Sequence, residues 1–162
     1  MKRDIVKFEF DNRQLEVYLK PTIIEEQFIR DKAAGFIPGG MEKLLELESK
    51  RSLHLEKCVV KKESSGSTDD GDDEDVKIDS SSPDFRIYAK YHNMIENAYF
   101  YGIMKTLVPN PPEGFDIDSL DSISFYGLKG AFEDALESFR EKKRAAGTEK
   151  DDPGDTQVSK QA

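Results

Sequence analysis

The sequence predicts an α+β fold that is predominantly α-helical: an N-terminal β-hairpin packed on a helical bundle, with a disordered acidic insertion and a disordered C-terminal tail. Strict alternation of apolar and polar residues is confined to the stretch before Pro21, which is the signature of a half-buried strand. Beyond Pro21 the apolar residues recur at three- and four-residue steps, the signature of amphipathic helices. Two polar, acid-rich stretches, 63–82 and 148–162, fit neither pattern. They divide the chain into 1–62 (hairpin and first helices), an insertion at 63–82, the helical remainder of the same domain at 83–147, and a tail at 148–162.

In residues 5–10, Val6, Phe8 and Phe10 alternate with Lys7 and Glu9. In residues 15–20, Leu15, Val17 and Leu19 alternate with Glu16 and Lys20. Asp11-Asn12-Arg13-Gln14 supply turn chemistry between them, so the two runs read as a hairpin joined by a four-residue turn. Such a hairpin is marginal alone and needs a packing partner. Thr22 and Glu25 have the spacing of a capping box, which starts a helix whose expected buried face is Ile24, Phe28 and Ile29 and whose expected stop is Gly35.

After Pro38-Gly39-Gly40 a second helix is expected over Met41–Lys57, with Met41, Leu44, Leu45, Ser52 and Leu55 on one stripe. Ser82-Pro83-Asp84 combines a hydroxyl cap, a first-turn proline and an acid suited to the helix dipole. The helix it opens, 83–107, carries two apolar faces. One is Phe85, Tyr88, Ile95, Tyr99 and Ile103; the other is Ile87, Tyr91, Met94, Ala98 and Tyr101. Caps between Asp118 and Ser122 open a last helix, with Phe125, Leu128, Phe132, Ala135, Leu136 and Phe139 on its stripe, cations in its last turns and Gly147 as its stop.

Hydrophobic residues make up 36% and charged residues 35% of the chain. Globular domains average roughly 45–50% and ~25%, so part of this chain is not expected to pack. Residues 63–82 hold eight acids and one lysine, and 148–162 hold four acids and two lysines. Removing those twelve acids and three bases from the totals of 33 and 24 leaves 21 of each, so the net charge of −9 belongs to the two acidic stretches. That balance argues against non-specific binding to nucleic acid. A single cysteine, Cys58, excludes an intramolecular disulfide and suits a reducing compartment. The first 30 residues hold no long apolar run, so no signal peptide or membrane span is expected, and the expected location is the cytoplasm.

No catalytic site assembles from the residue types present. A calcium loop counted from Asp69 would put Ser80 where the bidentate Glu belongs. His54 and Cys58 share a helical face but offer two metal ligands without a third. Cys58 also lies at the wrong end of its helix for a lowered thiol pKa. Gly39-Gly40 and Gly66 lack the lysine and spacing of a phosphate loop, and pairs such as Glu25-Glu26 and Glu133-Asp134 read as solvated helix faces. The expectation is therefore a protein that is not an enzyme and uses no cofactor or metal.

The aromatic residues carry the remaining signal. Tyr88, Tyr91, Tyr99 and Tyr101, with Met94, crowd the long helix, and Phe132 and Phe139 stripe the last one. Only Arg86, Lys90 and Lys105 accompany the tyrosines, too few for an RNA-stacking surface. Aromatics and Met are also what protein interfaces favour. The long helix reads either as pure core or as a partly shared interface, with these seven residues as the partner-binding set and Tyr91 and Tyr101 as its more exposed pair.

The hairpin running into Leu19-Lys20-Pro21-Thr22-Ile23-Ile24-Glu25, the helix leading to Leu55-Glu56-Lys57-Cys58-Val59-Val60-Lys61, the helical second half and the polar tail resemble the tail assembly chaperones of long-tailed phages. The likeness spans most of residues 5–147 in layout, and the 63–82 insertion is longer than that layout implies. The resemblance implies a non-catalytic protein that coats the tape-measure protein, keeps it soluble and helps recruit tail-tube subunits. It implies protein partners, further copies of the chain among them, and neither nucleic acid nor membrane. A structural or adaptor protein of the particle, such as a tail-completion or connector component, shares the same composition.

Overall fold

The computed structural model describes residues 2–60 and 77–150, with side chains to 147. Two compact units form, Met1–Pro21 with Leu107–Ala162, and Thr22–Thr106. The expected 148–162 tail and the 63–76 part of the expected insertion lie outside the described residues or side chains.

In the first unit β1 (Ile5–Phe10) pairs antiparallel with β2 (Arg13–Tyr18), Val6 opposite Val17 and Phe8 opposite Leu15. The turn has two residues, not the expected four. Arg13 and Gln14 pair with Phe10 and Glu9, and only Asp11 and Asn12 turn, with φ of 50° and 57°. Both residues tolerate the left-handed region, and two left-handed residues in succession match the twist of the strands they join. This register puts Val6, Phe8, Leu15 and Val17 on one buried face. On the other face Lys7 pairs with Glu16 directly across the ladder at 2.6 Å.

The buried hairpin face packs on α4 (Ser122–Lys150), where Phe132 meets Phe8 at 5.9 Å between ring centroids and Phe125 and Leu128 are also buried. A 3₁₀ turn, Ile117–Ser119, precedes α4. Asp121 starts it, its carboxylate accepting the Ser124 N–H at 2.7 Å. The helix runs through the expected stop, Gly147, because that glycine does not take a left-handed φ. The open end of the hairpin is tied by Asp4, whose carbonyl accepts the Leu19 N–H while its carboxylate meets Lys143 at 2.6 Å and Lys20 at 3.6 Å. The Lys143 hydrogen bond is the main reason the Asp4 carboxyl titrates below its ordinary value.

The second unit opens with α1 (Ile23–Phe36), and its capping box is formed: Thr22 Oγ1 accepts the Glu25 N–H at 3.2 Å and Glu25 Oε2 accepts the Thr22 N–H at 2.8 Å. The expected buried face is corrected. Ile29 is buried with Ala33 and Ala34, but Ile24 and Phe28 are 68% and 53% exposed. The helix passes Gly35 and ends at Phe36, since Pro38 forces the residue before it, Ile37, into extended backbone (φ −89°, ψ 128°). Gly39 and Gly40, with φ of 101° and 67°, then turn the chain into α2 (Gly40–Cys58).

On α2 the buried residues are Leu44, Leu47 and Cys58 with Met41 packed beside them, whereas Leu45, on the expected stripe, and Leu53 are exposed. Two short strands follow, β3 (Val59–Val60) and β4 (Lys77–Ile78), paired antiparallel. Residues 77–82, expected within the disordered insertion, are therefore placed: Val59 and Val60 pair with Ile78 and Lys77, and Asp79 donates its N–H to the Cys58 carbonyl. Ser82 then starts α3 (Pro83–Thr106) as expected, its Oγ accepting the Asp84 N–H at 3.3 Å.

Glu48 meets Tyr99, Arg51 meets Glu96 and His54 meets Asp84, so α2 and α3 run antiparallel. The core joins all three helices through Ala33, Ala34, Ile37, Leu44, Leu47, Ile95 and Ala98. At Gly102 the backbones approach so closely that a Cβ would stand 2.4 Å from the Ile29 carbonyl oxygen.

Two substitutions of one kind test that crossing. Gly102→Ala should cost about 2–3 kcal/mol in urea unfolding, the usual penalty of overpacking. Gly35→Ala, with nothing within 4 Å of its would-be Cβ, should be neutral or stabilising by about 0.5–1 kcal/mol. In the hairpin, Asn12→Ala should destabilise by roughly 1 kcal/mol, because it keeps the left-handed turn and loses the residue that tolerates it, while Asn12→Gly should not.

Candidate functional site

The seven residues expected to bind a partner fall in different units, five on α3 and two on α4. Phe132 is buried against Phe8, and Phe139 is half-buried with Lys143 Nζ 5.5 Å from its ring. Phe132 thus serves the packing of α4 on the hairpin.

On α3 the tyrosines are half-buried and each is engaged. Tyr88 stacks on His92 at 5.4 Å. Tyr91 packs against the three-helix core, with His54 at 6.0 Å and Lys50 Nζ 6.0 Å from its ring. Tyr101 leans on Phe36 of α1 at 4.9 Å. The expectation that Tyr91 and Tyr101 stand outside the packed structure is thus corrected. Both fill gaps between helices, because α1 and α2 flank α3 on adjacent sides and reach the face that two-stripe counting left bare.

Tyr99 joins a polar triad that links the three helices. Its hydroxyl donates to Glu48 Oε1 at 2.7 Å and accepts from Arg30 Nη1 at 3.1 Å, while Arg30 Nη2 donates to Glu48 Oε2 at 3.0 Å. Burial, then the bond to Glu48, raises the Tyr99 pKa above the ordinary phenol value. This is a structural clamp: the hydroxyl and both carboxylate oxygens are spent on their neighbours within the triad.

The histidines do not converge with Cys58. His54 Nδ1 lies 2.8 Å from Asp84 Oδ1, and His92 Nδ1 lies 3.5 Å from Arg51 Nη1. Cys58 is buried. Among the described residues no group of three or more His, Cys, Asp or Glu could hold a metal ion. Most of the calcium loop counted from Asp69 lies outside those residues.

Met94 is the one member of the set that is clearly exposed, at 39%, and Ile87 one heptad before it is 40% exposed. Tyr101, one heptad after, continues the row, with exposed Phe36 against it. Across the seam on α2, Lys50 stands over Tyr91, and Leu53, 50% exposed, lies one turn further along that side. Sequence reading missed Leu53 and Phe36. Ile87 was visible in the 3.5-residue repeat Ile87-Tyr91-Met94-Ala98-Tyr101, which is an a/d pattern whose Tyr91 and Ala98 positions turn inward. Among the described residues no helix is long and apolar enough to cross a membrane. No family model matches the chain, and neither a curated protein nor a solved structure matches it.

The triad gives the second unit a defined response to alkali. The folded state holds the Tyr99 proton to higher pH than the unfolded chain does, so its contribution is whole below about pH 10 and declines as pH rises past that value. Unfolding measured above that pH should show a loss of stability that Tyr99→Phe largely removes. At neutral pH the same variant should cost about 1 kcal/mol for the lost hydroxyl bonds.

Proposed function

We propose that this protein is a non-catalytic assembly chaperone of the long-tailed phage kind, which binds the helical tape-measure protein, keeps it dispersed and helps recruit tail-tube subunits. The observation that carries this reading is the seven-residue row on α3, exposed at Ile87 and Met94 and continued by half-buried Tyr101. A client helix laid along that row keeps its own apolar residues in step with it over about four turns, as helix-in-groove recognition requires. Other exposed apolar residues of the same unit, among them Ile23, Ile24 and Phe28 on α1 and Leu45 on α2, give a long client further places to touch. The acid-rich stretches, which carry the net charge of −9, suit a protein that must keep an apolar cargo in solution. The site of action on this reading is the cytoplasm of the host, where tails are assembled.

Co-expression with the tape-measure protein tests the reading. The client should stay soluble and co-purify with the wild-type chain. Met94→Asp should send it to the pellet while lowering unfolding stability by about 1 kcal/mol, the cost of a poor helix former at a partly exposed position. Tyr91→Ser should lower stability further, since that ring packs on the core. A client that remains insoluble beside the wild-type chain, or that co-purifies equally with Met94→Asp, would overturn the proposal. Recovery of the chain in finished particles would assign it to the structural parts of the tail instead.

A further inference from the structure

The α3 row has a charge environment that selects its partner further. Helix α3 contains two carboxylates, Asp84 and Glu96, and both lie on its α2 side, at 2.8 Å from His54 and 3.8 Å from Arg51. Along the row itself the neighbouring side chains are cations and amides: Arg86, Lys90, Asn93 and Asn97, each one position before Ile87, Tyr91, Met94 and Ala98. Arg86, Lys90 and Asn93 are exposed. Across the seam α2 adds Lys50, which stands over Tyr91, and Lys57, two turns further along the same side. On α2, Glu46 is taken by Lys43 and Lys50, and Glu56, beside Lys57, is exposed. The exposed side chains Ile87 and Met94 are thus accompanied by Arg86 and Lys90 on α3 and by Lys50 and Lys57 on α2, in a chain whose net charge is −9.

We infer that this edge of the Thr22–Thr106 unit receives an acidic amphipathic helix, with apolar residues at heptad spacing and Asp or Glu beside them. The inference rests on the chaperone reading for its client and names the chemistry of the client segment. Two other anionic partners fit the cations but not the rest of the edge. A nucleic acid needs ring faces on which bases stack. Here Tyr88 is stacked on His92, Tyr91 lies beneath Lys50, and Tyr101 leans on Phe36. The residues presented are aliphatic. An anionic bilayer would meet a chain of like overall charge and an apolar row only a few side chains long. A helix carrying carboxylates flanks its own apolar seam with charges at the positions where Arg86 and Lys90 stand, as interhelical pairs do in coiled coils.

The test uses the full chain and four probes. Two are amphipathic peptides of about four heptads with Leu at the seam, flanked in one by Glu and in the other by Lys. The third is a single-stranded DNA oligonucleotide and the fourth a phosphatidylglycerol vesicle. The Glu peptide should bind at least about tenfold more tightly than the Lys peptide, and should weaken on going from about 50 to about 500 mM salt. Arg86→Glu combined with Lys90→Glu should reverse that preference. Arg140→Glu combined with Lys142→Glu, an equal change of charge on exposed residues of α4, should leave it unchanged. Circular dichroism keeps the variants comparable. Equal binding of both peptides, equal loss in the two charge-reversed variants, or tighter binding of the oligonucleotide or vesicle would overturn the inference. With the tape-measure client, loss of binding in Met94→Asp but not in the Arg86/Lys90 variant would overturn the acidic partner and leave the chaperone reading standing. Loss in neither would overturn both.

Discussion

The approach of α1 to α3 at Gly102 governs what the Thr22–Thr106 unit can bury. With room for a hydrogen but not a methyl beneath the Ile29 carbonyl, the two helices cross closely, and the residues that fit the crossing are small: Ala33, Ala34 and Ala98 are buried with Gly102. A close crossing gains contact over the backbone itself but has little volume for long side chains. On α1, Ile24 stands nine residues and so half a revolution from Ala33, and the alanine rather than the isoleucine faces α3. Exposure of Ile24 and Phe28 follows from the choice of a small-residue seam.

This explains which features were legible. Signals that act within one turn of chain were read correctly: the Thr22/Glu25 capping box, the Ser82-Pro83-Asp84 start and the alternation of the hairpin strands all reappear as hydrogen bonds or register. The α4 stripe was legible too, because Phe125, Leu128 and Phe132 pack on one neighbour and a single apolar stripe answers a single partner. The faces of α1 and α2 were not, since hydrophobicity ranks Ile and Phe above Ala, while the crossing at Gly102 ranks by size. Gly35 and Gly147 misled for a related reason. A glycine ends a helix only where it turns left-handed, and whether it does depends on the residues beyond it; at Gly35 the deciding residue is Pro38. The polar triad was illegible because Arg30, Glu48 and Tyr99 are far apart in sequence, and Tyr99 reads as one member of an apolar face rather than as a polar partner.

That triad complements the small-residue seam. Alanines and glycine set a distance between helices but fix register poorly, since one small residue substitutes for another a turn away. Arg30, Glu48 and Tyr99 fix it: one from each helix, joined by three hydrogen bonds of 2.7–3.1 Å that a slip of one turn would break together. The surface pairs of the unit, such as Lys43 with Glu46, contribute little by comparison, being exposed and screened. Geometry and register are thus divided between two kinds of contact.

The two units differ in how completely they satisfy themselves. In the first, the hairpin supplies Val6, Phe8, Leu15 and Val17 to cover the α4 stripe, and the apolar side chains left clearly exposed on α4 are Ile123 and Tyr126. In the second, all three helices keep exposed apolar residues: Ile24 and Phe28, Leu45 and Leu53, Ile87 and Met94. Scattered side chains of this kind are ordinary on a protein surface. A heptad-spaced row beside a seam whose inner positions are already filled is less so, because its residues are held in a fixed geometry before any partner is met. Tyr91 and Ala98 hold α3 to its own unit, which leaves Ile87 and Met94 oriented without any further ordering of the helix. On the proposed reading a partner helix would lose only its own freedom on docking, and the cations beside the row would bias which helices gain most from doing so.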